Sequence, residues 1–184
     1  MASGLLKAFT NNRLILKWIM VLLAGFGFIW SMQLFIAGNA YYSVKNDIEA
    51  WQLSPNKASV QKIDSGLGKI ANAIDYFPNN TLYYQIQGQL FEWKAVVEKK
   101  NKELDSVELD TQRNNANLNN AALSYEKSLL LRPTWSGSWI GLASVKLQQG
   151  ELDSEFYHYL ENAKQAGPQD AIVHKFIVEF GLEM

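Results

Sequence analysis

The chain has 184 residues, 48% of them hydrophobic and 19% charged, and its 17 basic and 18 acidic residues leave a net charge of −1. That composition excludes a disordered or collagen-like polymer and provides no basic footprint for nucleic acid. The absence of cysteine and the presence of only two histidines exclude disulfides, thiolate metal sites, iron–sulfur clusters and a cysteine nucleophile, and leave little room for imidazole chemistry.

The first predicted element is a membrane span. Lys7, Arg13 and Lys17 precede every acid, the first carboxylate is Asp47, and no charge lies between Lys17 and Lys45. Trp18 to Ile36 is the most apolar part, and as a helix it reaches about 28 Å, close to the roughly 30 Å of a bilayer core. Trp18 at one end and Tyr41–Tyr42 at the other suit the two interfaces. The basic N-terminal side points to the cytoplasm by the positive-inside bias. The expected organisation is a cytoplasmic basic N-terminus over 1–17, a transmembrane helix over 18–40, a juxtamembrane helix or linker over 41–55 and a helical repeat domain over 56–184, with a polar insertion at about 98–118. A cleaved signal sequence is the competing reading, since Gly38-Asn39-Ala40 offers small residues at a cut site. The apolar stretch exceeds the usual signal core and the cut would fall late, so the retained anchor is preferred. A buried helix of a soluble domain is disfavoured because no face of the segment carries a charge.

Beyond the anchor every apolar pattern has a helical period. Tyr41, Val44, Ile48 and Trp51 form a stripe that stops at Pro55. Val60, Ile63, Leu67, Ile70, Ile74 and Phe77 follow at steps of three and four before Pro78. Tyr83, Ile86, Leu90, Trp93 and Val97 make the next stripe. A polar stretch, residues 96–120, reads as a solvated helix extension or a loop. Leu118, Ala122, Tyr125 and Leu129 then run to Pro133, and Trp139, Leu142 and Ala143 open a helix ending at Gly150. Leu152, Phe156, Leu160 and Ala163 lead to Gly167-Pro168, and Val173, Phe176, Ile177 and Phe180 close the chain. No run alternates with period two long enough to argue a strand, so the expected fold is all-α.

The helix pairs repeat. Pro133 and Pro168 are 35 residues apart, and Pro78 and Pro133 are 55 apart, which is that period plus the polar insertion. Each unit begins after a proline with an aromatic and a small residue four positions later, Tyr84 with Gly88 and Trp139 with Ala143. The small residue admits the partner helix, the aromatic fills the space beside it, and the proline ends the second helix. The pattern resembles the tetratricopeptide repeat. Trp139, Leu142, Ala143, Gly150 and Pro168 match its order in one unit, and Pro78, Tyr84 and Gly88 match in the earlier one, where Gln87 replaces the Leu. The expected architecture is therefore a single transmembrane helix followed by a small tetratricopeptide-like stack of helical hairpins. Two units and a closing helix fall short of the roughly three repeats that bury a continuous face, so the domain is expected to lean on a neighbour: another copy, a membrane partner, or the helix through Tyr41–Trp51.

The string from Tyr125 to Leu182 is similar to the C-terminal half of the VpsP family of bacterial polysaccharide biosynthesis accessory proteins. The resemblance lies in Arg132-Pro133-Thr134-Trp135, then Trp139 with Leu142-Ala143 and Lys146, then Gly150, Asp153, Glu155-Phe156, Gly167-Pro168 and Gly181-Leu182. Gln169, Asp170 and Ala171 depart from it, where an aromatic and a Pro are expected. The resemblance implies a single membrane helix and a role in exopolysaccharide production or export, and it carries over no catalytic residue.

Candidate reactive groups are few. Glu155-x-x-His158 has the spacing of a di-iron ligand pair, but no second such pair accompanies it, because His174 lacks a Glu three residues before it. Glu151, Asp153 and Glu155 follow Gly150 at a helix start, where acids complement the positive helix end. Ser65-Gly66-Leu67-Gly68-Lys69 has the wrong spacing for a phosphate loop, and no strand precedes it. Asn79-Asn80-Thr81 is a formal glycosylation sequon, meaningful only in a eukaryotic secretory protein. Trp135 and Trp139, four apart around Ser-Gly-Ser, could face one groove, but Trp139 falls at the interior position of a repeat helix, which leaves Trp135 for contact with a partner or a glycan. The expectation is a non-enzyme without cofactor or metal in a bacterial inner membrane, N-terminus cytoplasmic and C-terminal domain periplasmic. It scaffolds protein partners, polysaccharide synthesis or export components or a second copy of itself. The alternative is a general periplasmic repeat-type interaction module of cell-envelope or secretion machinery.

Overall fold

The computed structural model describes residues 2–101, 107–179 and 181, with side chains from residue 15 to 100 and from 115 onward. Phe180 and Leu182, and the side chains of Lys7 and Arg13, lie outside the described residues. Within them the chain is all-helical: α1 (Ala2–Leu53), α2 (Val60–Tyr76), α3 (Thr81–Asn101), α4 (Val107–Leu131), α5 (Ser136–Gln149), α6 (Ser154–Ala166) and α7 (Ala171–Glu179), with one 3₁₀ turn at Pro55–Lys57.

Helix α1 runs through the apolar segment and on into the folded stack without a break. No proline interrupts it before Pro55, and its residues 15–36 are exposed apart from Gln33. It contains the one helix segment long and apolar enough to cross a membrane among the described residues, Ile15–Leu53. At Ala37 the environment changes: Ala37, Val44, Ile48 and Trp51 are buried against α2 and α3. The stretch read as a juxtamembrane helix or linker is thus the first helix of the stack, continuous with the apolar span. Of the three neighbours considered for the domain, the structure supplies this one.

Consecutive helices pack on one another from α1 to α6, and α1 also touches α3, α3 touches α5, and α5 touches α7. The odd-numbered helices therefore form one row and α2, α4 and α6 a second. Three cores follow from that order. Val44, Ile48, Trp51, Ile63, Ile70 and Leu90 fill the first. Ala95, Leu118, Tyr125, Leu129, Leu142 and Val145 fill the second. Ile140, Ala143, Phe156, Leu160, Val173 and Phe176 fill the third. Each core is shared by three successive helices, as expected when a hairpin cannot bury its apolar face alone.

The three prolines that bound the repeats, Pro78, Pro133 and Pro168, occupy one turn used three times. Asn80 N–H donates to Phe77 O at 3.2 Å, Trp135 N–H to Arg132 O at 3.1 Å, and Asp170 N–H to Gly167 O at 3.0 Å. Pro78, Pro133 and Pro168 sit at the second position of these four-residue turns, where a fixed φ suits the geometry. The stack is periodic at its connections as well as in its stripes. The polar stretch after α3 is a helix extension on both sides, reaching Asn101 in α3 and resuming at Val107 in α4, and residues 102–106 lie outside the described ones.

The apolar stripe of α6 begins later than its spacing predicts. Leu152 is exposed, and α6 begins only at Ser154 because the Asp153 side chain accepts hydrogen bonds from Glu155 and Phe156 N–H and caps the helix. Gly150 closes α5 in the left-handed conformation, φ 77°, with open space where a Cβ would stand. Substitution of Gly150 by Ala is therefore expected to cost about 1–2 kcal/mol from backbone conformation alone, measurable as a lowered melting temperature with unchanged helix content.

Candidate functional site

The residues singled out for repeat packing divide by role. Gly88 in α3 faces the Tyr125 ring of α4, and a Cβ there would come within 2.7 Å of it. Gly141 in α5, which the sequence reading passed over in favour of Ala143, meets the same ring from the other side. Tyr125 is thus clamped between two glycines on two neighbouring helices. Ala143 is fully buried in the third core and Leu142 in the second. Trp139 is half-buried, stacks near Tyr159 with ring centroids 6.0 Å apart, and donates its indole N–H to Pro133 O at 2.8 Å. Tyr84 is half-buried, with the Lys127 ammonium 6.0 Å from its ring centroid. Trp139 thus packs beside the second proline turn, while Tyr125 meets both glycines across the helices.

Tyr125 and Gly141 line a cavity of about 190 Å³ on the row of odd-numbered helices. Its wall takes Ile48 from α1, Gln85, Gln89 and Glu92 from α3, Ser144 from α5 and Phe176 from α7. Glu92 is the centre of its polarity. The Tyr125 hydroxyl donates to one carboxylate oxygen, and Ser144 Oγ and Gln148 Nε2 donate to the other at 2.5 Å each. Burial pushes the Glu92 carboxyl above its ordinary value, against the opposing pull of these three donors. Burial and the neighbouring carboxylate push the Tyr125 hydroxyl well up, so it stays protonated and donates. Nothing in the apolar stripes pointed to Glu92. Its only sequence signal was a carboxylate beside the apolar Phe91 and Trp93.

A raised carboxyl pKa in the folded state has a definite sign. The folded protein holds that proton more tightly than the unfolded chain does, so the contribution of Glu92 to stability falls as pH rises from the unfolded value toward the folded one. Relative to Glu92→Gln, the wild type is expected to lose stability between about pH 4 and its folded pKa and to level off above it. Urea titrations of both proteins in mild detergent across that range measure it. A difference independent of pH would contradict the assignment.

The acids after Gly150 do more than cap. Lys146 Nζ reaches Glu151 at 2.8 Å, Asp153 at 2.9 Å and Glu155 at 2.8 Å, which ties the end of α5 to the start of α6. These hydrogen bonds raise the Lys146 pKa and hold Asp153 and Glu155 below their ordinary values. Glu155 also accepts from the Tyr159 hydroxyl at 2.8 Å, so its carboxylate faces partners other than His158. Among the described residues no three His, Asp or Glu side chains are arranged to hold a metal ion. Ser65–Lys69 lies inside α2, with Gly66 buried against Leu90 and Val44. A helical backbone there has no free N–H groups with which to cradle a phosphate. In the sequon, Asn80 uses its side-chain oxygen to accept from Leu82 N–H at 3.1 Å.

Trp135 donates its indole N–H to Gln85 Oε1 at 2.8 Å and carries the Arg132 guanidinium 4.4 Å over its ring. Its polar edge and one face are thus engaged within the chain. In comparison with protein-family models and with curated proteins, the chain matches none.

Proposed function

We propose that the chain is a membrane-anchored, non-catalytic scaffold of bacterial exopolysaccharide synthesis or export, its N-terminus in the cytoplasm and its helical stack in the periplasm. The observation that carries the scaffold reading is the continuity of α1, in which an apolar segment able to cross a bilayer and the first helix of the stack are one rigid element. A domain held this way presents its faces at a set height and orientation, which is what an assembly platform requires. The trough walled by Gln85, Gln89, Glu92 and Ser144 offers the Gln89 amide to the N–H and C=O of an extended peptide, between apolar Ile48 and Phe176. Support for polysaccharide as the field of action comes from the likeness of Tyr125–Leu182 to the VpsP family.

A mild-detergent pull-down from membranes through a C-terminal tag, with mass spectrometry of bait and partners, tests this reading. The expected result is an intact N-terminus together with polysaccharide polymerase, export or chain-length proteins. A bait beginning near Tyr41 and lacking such partners would replace it with a released, general periplasmic interaction module. Unchanged polymer amount, length and secretion in a deletion strain would also overturn it.

A further inference from the structure

We infer that the proline-turn edge of the helical stack rests in the bilayer surface, with Tyr76, Phe77, Leu130 and Leu131 in the interface and Arg132 at the level of the lipid phosphates. The inference rests on α1 being a membrane span. Its starting point is a contact that a domain held clear of the membrane would not make. The Phe77 ring, in the first proline turn, meets the Trp30 ring of α1 edge-on, with centroids 5.9 Å apart. A cavity of about 640 Å³ opens there between Trp30 and Leu34 on one side and the turn through Tyr83, with Arg132, on the other. Trp30 and Leu34 continue the buried stripe of Ala37, Tyr41, Val44, Ile48 and Trp51 down the same face of α1 at steps of three and four. The stack therefore follows α1 down into its apolar segment.

The depth is set by helix geometry. Taking Ile36 as the outer end of the most apolar stretch, Trp30 and Leu34 lie about 9 and 3 Å inside it at roughly 1.5 Å per residue. Peripheral segments bury their apolar side chains about 5–10 Å into the boundary between headgroups and acyl chains. The first turn sits at that depth.

The second proline turn shares the edge, because Arg132 lines the same cavity as Phe77 and Trp30. Just before it, Leu130 is 83% exposed, Leu131 40%, and Tyr76 at the end of α2 41%. Scattered single leucines on a surface need no explanation. An adjacent pair directly before Arg132, on the rim of a recess lined by Trp30, Leu34 and Tyr76, extends the apolar surface at this edge. The polar groups at this end fit a headgroup layer. Lys127 and Lys164 are exposed in the turns leading to it, and Asp170 is engaged by Ser136 Oγ at 2.6 Å and by Ile172 N–H. The exposed acids near this end are Asp75 on α2 and Glu126 beside Lys127 on α4, while the other exposed acid of α2, Asp64, pairs with Lys94. A guanidinium at the rim of an apolar recess matches a phospholipid, with the phosphate above and an acyl chain below.

The chain has no cysteine, so one introduced thiol carries a unique probe. The full chain is reconstituted in vesicles of phosphatidylethanolamine and phosphatidylglycerol, with an environment-sensitive fluorophore at Leu130→Cys, Leu53→Cys or Leu23→Cys. Leu53, 87% exposed, marks the opposite end of the stack, and Leu23 marks the span. Quenching is measured with nitroxide lipids of shallow and deep label position and with aqueous iodide. The expected result is several-fold stronger quenching of the Leu130 probe than of the Leu53 probe by shallow nitroxides, and the reverse order with iodide. The Leu23 probe is expected to respond to deep nitroxides. If Leu23 responds but Leu130 follows iodide like Leu53, the edge stands clear of lipid and the inference falls while the anchor stands. If Leu130 is shielded from both quenchers, a second copy covers the edge and the inference falls. If Leu23 also escapes the deep nitroxides, the anchor reading fails and takes the inference with it. All three sites are exposed, so the labels do not disturb the core.

Discussion

A chain beginning at residue 56, the domain start that proline and composition suggest, is expected to lose cooperative folding, whereas one beginning at residue 37 keeps it. The reason is the first core. Val44, Ile48 and Trp51 are almost fully buried against Ile63, Ile70 and Leu90, and Trp51 meets the Trp93 ring edge-on at 5.8 Å. Burying one large apolar side chain contributes about 1.5–3 kcal/mol, so losing all three removes about 5–9 kcal/mol. A domain of this size has about 5–15 kcal/mol of stability in total. The loss also bares Ile63, Ile70 and Leu90, which favours aggregation. Far-UV circular dichroism with thermal melts, alongside size-exclusion chromatography, compares the two chains. A cooperative melt of the chain from residue 56 at the temperature of the longer one would show that α1 is an appendage of the stack and not a part of it.

The second large effect is expected at Tyr125. Its ring is buried between Gly88 and Gly141, and its hydroxyl donates to Glu92, so it joins α3, α4 and α5 at one point. Tyr125→Ala removes an aromatic from a site whose walls are backbone, which collapse poorly around a void. The expected cost is about 3–5 kcal/mol, the range for deleting a buried aromatic. Tyr125→Phe keeps the ring and withdraws one donor from Glu92, and about 1–3 kcal/mol is expected for a buried polar group left short of a partner. Denaturant unfolding of the two variants separates ring from hydroxyl. Equal losses would mean that the ring's fit between the glycines contributes little. Tyr125 also lines the Glu92 cavity, so partner retention in the pull-down is expected to fall with Tyr125→Ala.

These two expectations show where local reading stops. Pro78, Pro133 and Pro168 were visible as helix ends because a proline acts on its own neighbours, and the structure gives all three the same turn. The stripes were visible because helical period is a local property, and nearly every stripe residue after Trp51 is buried or half-buried in its expected helix. Leu152 lies outside the helix its spacing predicts, because apolarity alone does not reveal that Asp153 holds the cap. The boundary between span and juxtamembrane segment near Tyr41 follows composition, whereas the helix runs on to Leu53 because no residue before Pro55 interrupts its hydrogen bonds.

By itself, then, the sequence determined an all-helical chain, its apolar first segment, its proline-bounded hairpins and its lack of cysteine chemistry, all properties of residues and their near neighbours. Only the tertiary structure decided that α1 completes the first core, that Gly141 rather than Ala143 shares Tyr125 with Gly88, and that Glu92 collects three donors from α4 and α5. It also decided that Phe77 reaches Trp30 across the turn. Each of these is a meeting of side chains distant in sequence. Which of them meet depends on how the helices stack, and that is fixed by the joint packing of the three cores.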